Sequence, residues 1–78
     1  MDMTNTEQIH NKLIRGEIVY LENLLEDVAV RMQIIDGETV CHARFSGEKE
    51  YKLSSTSNMV TVATLNATEL TKEEYLNY

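Results

Sequence analysis

The segment from Val28 to Phe45 consists of two apolar-alternating runs joined by Asp36-Gly37. A two-residue type I′ turn needs positive φ at both central positions, and Asp-Gly is one of the pairs that accepts this most readily. Closing a hairpin at that dipeptide sets Val28 opposite Phe45, Val30 opposite Ala43 and Met32 opposite Cys41, all on one face. The other face pairs Ala29 with Arg44, Arg31 with His42 and Gln33 with Val40. A slip of one residue would turn every side chain to the wrong side. Here turn chemistry and face pattern select the same register, and they predict strands over 28–35 and 38–45.

The hairpin extends on its C-terminal side. Ser46-Gly47-Glu48 has the length of a three-residue loop, with Gly47 available for a left-handed position. A third strand over 49–53 then sets Tyr51 opposite Ala43 and Leu53 opposite Cys41. The Ser54–Asn58 stretch reads as a loop. Met59-Val60-Thr61-Val62-Ala63-Thr64-Leu65 is dominated by β-branched residues and predicts a fourth strand over 59–65. Thr71-Lys72-Glu73-Glu74 matches a capping box and predicts a short helix over 71–77, carrying Tyr75 and Leu76.

On the N-terminal side, Thr4-Asn5-Thr6-Glu7 is another capping-box match. At about 100° per residue, Ile9, Leu13, Ile14, Ile18, Tyr20, Leu21, Leu24 and Leu25 fall on one half of a cylinder. Gln8, Asn11, Lys12, Arg15, Glu22, Asn23 and Glu26 fall on the other. Val19 violates the pattern, and Gly16 costs about 1 kcal/mol inside a helix. The pattern predicts a helix over 5–26, kinked or split at Gly16; the competing reading makes 17–21 a strand. The expected fold is α+β, a single small domain in the order α-β-β-β-β-α. A long N-terminal helix covers one face of an antiparallel sheet and water covers the other.

The chain has 78 residues, enough for one domain that buries roughly 60% of its unfolded surface. Its one cysteine, Cys41, makes no internal disulfide, so packing or a second subunit must supply the stability. The longest apolar run, Ile18-Val19-Tyr20-Leu21, is far short of a membrane span. With no basic-then-apolar leader at the N-terminus, a cytoplasmic location is expected.

Thirteen acidic residues against seven basic ones give a net charge of −6. The cations Lys12, Arg15, Arg31, Arg44, Lys49, Lys52 and Lys72 are dispersed, with no basic run. Phosphate binding depends on clustered cations, so neither direct nucleic-acid binding nor an anionic membrane surface is expected. There is no cysteine pair, no histidine pair at ligand spacing and no glycine-rich phosphate loop. Cys41 and His42 are neighbours in a predicted strand, so their side chains diverge. No catalytic residue, cofactor or metal is expected.

Two groups of carboxylates stand out: Glu22, Glu26 and Asp27 before the hairpin, and Glu69, Glu73 and Glu74 near the C-terminus. In the first group, placed at the end of the predicted helix, the charges would oppose the helix dipole and gain nothing locally. They are therefore the stronger candidates for contact with a partner. The expected function is a non-enzymatic protein-binding module, a regulator or inhibitor of a larger protein that is basic or handles nucleic acid. Small proteins encoded by phages or mobile elements often work this way, although no residue pattern in this chain marks such an origin. The alternative is a homodimeric assembly module without a small-molecule site.

Overall fold

A computed structural model describes residues 4–66 and 68–78, with side chains at 7–65 and 68–78. The elements are α1 (Thr4–Ile14), β1 (Val19–Asn23), β2 (Val28–Ile35), β3 (Glu38–Phe45), β4 (Tyr51–Leu53), α2 (Asn58–Asn66), β5 (Thr68–Leu70) and α3 (Lys72–Leu76). The five strands form one antiparallel sheet in the order β4-β3-β2-β1-β5.

The β2–β3 hairpin has the register that its turn chemistry predicts, from Val28 opposite Phe45 through to Ile35 opposite Glu38. Asp36 and Gly37 have φ of 52° and 80°, as a type I′ turn requires. β4 follows in the expected register, Ala43 opposite Tyr51 and Cys41 opposite Leu53. A Cβ on Gly37 would meet nothing within 4 Å. Replacing it therefore strains only the backbone, and Gly37→Val is expected to lower stability by about 1–2 kcal/mol. The midpoint of urea denaturation measures this, and an unchanged midpoint rules the turn assignment out.

The predicted helix over 5–26 is corrected: α1 stops at Ile14. Gly16 has φ of 87°, its N–H bonds to the Leu13 carbonyl at 3.0 Å, and the Glu17 N–H bonds to the Lys12 carbonyl at 2.9 Å. These are the two bonds of a Schellman motif, so Gly16 ends the helix rather than weakening its interior. The chain then turns into β1, which pairs with β2 from Val19 opposite Met32 to Asn23 opposite Val28. The competing strand over 17–21 is the better description of this region. The Thr4 side chain of the first capping box lies outside the described residues.

The predicted strand over 59–65 is also corrected, because Asn58–Asn66 is helical. Val60 and Ala63, three residues apart, are both buried against the sheet. Thr61 and Thr64 donate their hydroxyls back to the Ser57 and Val60 carbonyls, at 3.3 and 2.9 Å. The packing of Val60 and Ala63 outweighs a modest β preference, and the hydroxyl back-bonds satisfy the threonines without adding to the helix. β5 was not anticipated; it adds a strand beside β1. The short C-terminal helix is present as α3, and its capping box is complete: Glu74 N–H to Thr71 Oγ1 at 3.1 Å, Thr71 N–H to Glu74 Oε1 at 2.8 Å.

α1 and α2 cover one face of the sheet. Ile9, Leu13, Val60 and Ala63 pack there on Val19, Leu21, Val28, Val30, Met32, Cys41 and Ala43. The opposite face is not simply wet, because α3 lies across part of it and buries Tyr75. Both sheet edges are strands of three residues, β4 and β5, too short to template much pairing with another chain. No helix among the described residues is long and apolar enough to cross a membrane.

Candidate docking site at the hairpin tip

Residues 24–27 connect β1 to β2, and one side chain shapes that turn. Asn23 is fully buried, and its Oδ1 accepts from the N–H groups of Leu25 and Glu26, both at 3.0 Å. Its Nδ2 donates to Glu26 Oε1 and to the Met59 carbonyl of α2, again at 3.0 Å each. Both acceptor positions and both donors of the amide are thus in use. Asp27 closes the turn in the left-handed region, at φ of 55°.

This turn holds its two leucines in water. Leu24 is 62% exposed and Leu25 is 77% exposed. Around them stand Glu22, Glu26 and Asp27, the first group of carboxylates singled out in the sequence. The structure brings Glu22 and Asp27 together and turns Glu26 to Asn23 instead. All three lie on a hairpin rather than a helix terminus, so no helix dipole acts on them. The last residue takes part as well. The Tyr78 phenol donates to Glu22 Oε2 at 3.0 Å and Asp27 Oδ1 at 3.3 Å. The Tyr78 carbonyl accepts from the Gly47 N–H and the Ser46 hydroxyl, both at 3.1 Å. Burial, then the carboxylate of Glu22, pushes the Tyr78 phenol up, so it remains a donor well above neutral pH.

The second group of carboxylates is dispersed. Glu69 is on β5 and forms an ion pair with Lys12 of α1. Glu73 and Glu74 are in the first turn of α3, and Glu74 is committed to the capping box. Charges there are accounted for by the helix dipole and the cap.

The half-covered sheet face carries a second polar cluster. Arg31 grips Glu50 with two bonds, Nε to Oε1 and Nη2 to Oε2, both at 2.8 Å. Its Nη1 donates to Gln33 at 3.1 Å. The Tyr75 phenol donates to Glu50 Oε1 at 2.6 Å. The Tyr75 ring sits 5.1 Å from that of Tyr20, and the Arg44 guanidinium lies over it at 5.9 Å. Arg44 also donates to the Leu76 carbonyl at 3.0 Å.

The ionisation of this cluster is that of a clamp. The Arg31 hydrogen bonds bring Glu50 down to about 2 against the opposing effect of burial, with help from the Tyr75 phenol. Burial, then Glu50, pushes Tyr75 up. Burial, then Arg31, holds His42 below its usual value, so its imidazole is neutral at neutral pH. Glu50 and Tyr75 are thus far from exchanging protons near pH 7, and their bonds fasten α3 to the sheet. Neither was singled out in the sequence, since a contact between residues 25 apart leaves no local pattern. Cys41 lies fully buried on the helix-covered face, away from His42, and burial pushes its thiol up. That is the setting of an inert core thiol.

Among the described residues no group of three His, Cys, Asp or Glu side chains is placed to hold a metal ion. No family model matches the chain, and neither a curated protein nor a solved structure matches it.

Proposed function

We propose that this chain is a protein-binding module that regulates or inhibits a larger protein, docking through the tip of the β1–β2 hairpin onto a basic surface. The observation that carries the reading is the pairing of two exposed leucines with three carboxylates on a turn that Asn23 and Tyr78 hold in place. Protein interfaces place apolar anchors at the centre and charges at the rim. Preorganisation lowers the entropy lost on binding. Residues 22–27 hold three acids and no cation, whereas three cations elsewhere, Lys12, Arg15 and Arg31, are already paired with carboxylates. The tip therefore presents a concentrated negative field, and a basic target gains from electrostatic steering.

Two variants test this against a partner captured from lysate at low and high salt. The triple change Glu22→Gln, Glu26→Gln and Asp27→Asn is expected to slow association about tenfold or more at low salt and to flatten the salt dependence, because rim charges act mainly on the on-rate. Leu24→Ser with Leu25→Ser is expected to raise the dissociation rate, as removal of buried anchors does. A partner that binds both variants with unchanged rates and salt slope overturns the reading.

A second reading, a homodimeric assembly module, draws on another surface. Ile18, Ile35 and Leu76 are 40%, 45% and 55% exposed. Ile18 and Leu76 both line the open hollow on the sheet face that α3 covers only in part.

A further inference from the structure

Beside α3 the half-covered sheet face is hollowed. Ile18, Tyr20, Tyr75 and Leu76 line it together with the Arg31–Glu50 pair and Lys72. The hollow measures about 310 Å³ and is open to solvent. That is near the lower end of the roughly 300–1,000 Å³ of small-molecule sites, and an open hollow of this size suits a protruding pair of side chains better than an enclosed ligand. Arg31 and Glu50 neutralise each other by two hydrogen bonds. Lys72 has no ion-pair partner among the described residues. The hollow therefore offers an apolar lining with one positive charge that is in no ion pair among the described residues.

Side chains of complementary chemistry are present on the same molecule. The β1–β2 tip projects Leu24 and Leu25 with Glu26 and Asp27 directly following them. The tip does not reach its own hollow. Ile18 precedes β1 and Leu24 follows it, six residue steps apart, or roughly 20 Å of extended chain at about 3.3 Å each. Asn23 and Tyr78 hold the tip at the far end.

We propose that the hairpin tip of one copy docks into the hollow beside α3 of a second copy, Leu24 and Leu25 against Ile18, Tyr20 and Leu76, with Glu26 and Asp27 facing Lys72. The inference rests on the reading of the tip as a docking element and names a second copy as an occupant of its own. The contact is heterologous, because different surfaces of the two copies meet. Each copy then retains one unused tip and one unused hollow, and association continues into rings or short chains. A charge of −6 on every copy opposes this contact at long range, so added salt strengthens it. Salt weakens docking to a basic partner, and the two uses of the tip are thereby separated.

Sedimentation velocity of the full chain over a range of concentrations is the test. The weight-average mass of the wild type is expected to rise about twofold or more with concentration, and to rise further when salt is added. Leu24→Ser with Leu25→Ser removes the tip, and Lys72→Glu with Leu76→Glu removes the hollow. All four side chains are exposed, and circular dichroism checks that both variants remain folded. Each variant alone is expected to sediment as a monomer. A mixture of the two is expected to form a species of two chains that grows no further, because one intact tip meets one intact hollow.

A wild type that stays monomeric at every concentration and salt overturns the proposal. So does a mixture that forms no two-chain species, or a variant that associates as the wild type does. If the wild type is monomeric while the Leu24→Ser, Leu25→Ser variant still loses a basic partner, docking by the tip stands and self-docking alone falls. If that variant also keeps its partner unchanged, both readings fall.

Discussion

Replacing Tyr75 by Ala is expected to cost about 3–5 kcal/mol, the range for deleting a buried aromatic side chain. The total stability of a domain this size is about 4–12 kcal/mol, so the change threatens the fold itself. Tyr75 is 2% exposed and is the one buried residue of α3. Its ring packs tilted against that of Tyr20 and lies under Arg44, and its phenol donates to Glu50. Without the ring, α3 has the Arg44 bond to the Leu76 carbonyl and the contacts of Tyr78, but little apolar surface to bury. Tyr75→Phe separates the contributions. It keeps the ring and loses a hydrogen bond to a charged acceptor, for about 1.5–3 kcal/mol. Urea denaturation of the three proteins measures both effects. A loss below about 1 kcal/mol for the Ala variant would show that α3 is not held by this ring.

The same clamp sets the response to acid. Glu50 is lowered from 4.5 to about 2 in the folded chain, first by Arg31 and then by Tyr75. A carboxylate whose folded value is depressed stabilises the fold fully above its unfolded value, and that stability is lost as pH falls through the folded value. The contribution of Glu50 is therefore intact above pH 4.5 and disappears between pH 4.5 and about 2. In Arg31→Gln, Glu50 returns toward its ordinary value, and acid unfolding followed by circular dichroism is expected to begin at higher pH than in the wild type. Coincident acid transitions would mean that the pair contributes nothing to acid resistance.

Replacing Asn23 by Leu is expected to cost about 2–4 kcal/mol, even though a buried polar group gives way to an apolar one of similar size. Removing one partner from a satisfied buried network leaves the others unpaired, and that penalty exceeds the net worth of the bonds. Asn23 serves Leu25, Glu26 and Met59 at once, so its loss loosens the hairpin tip and its tie to α2 together. Asn23→Asp keeps the acceptor for the two turn amides but loses both donors. It also sets a charge against Glu26, so it is expected to be about as damaging. Amide hydrogen exchange at Leu25 and Glu26 reads the local effect, and the urea midpoint reads the global one. Protection unchanged at both amides would show that the turn forms without the side chain. The tip is also the proposed docking element, so the Asn23 variants are expected to bind a partner more weakly while every residue that touches it is kept.

The β2–β3 hairpin, the register of β4 and the capping box of α3 were all decided by chemistry within a few residues. Asp36-Gly37 selects a turn type, the turn type selects a register, and alternation then assigns each side chain to a face. Thr71 and Glu74 satisfy one another's backbone across three residues. Such signals need no distant partner. The N-terminal half was different. The apolar pattern of residues 9–25 fits a cylinder, yet Gly16 acts as a helix stop, and the chain beyond it pairs with the edge of β2, burying Val19 and Leu21 in the core.

Met59–Leu65 shows the same in reverse. Its β-branched residues favour a strand, but burying Val60 and Ala63 on a finished sheet face made it a helix. The carboxylates of the proposed site could be picked out as charges in the sequence. Their arrangement could not, because it depends on Asn23 reaching α2 and Tyr78 returning from the other end of the chain. Local hydrogen bonding and side-chain periodicity are properties of the sequence itself. The pairing of β1, the helical state of α2 and the cover that α3 gives the second sheet face exist only once surfaces distant in the chain compete for burial.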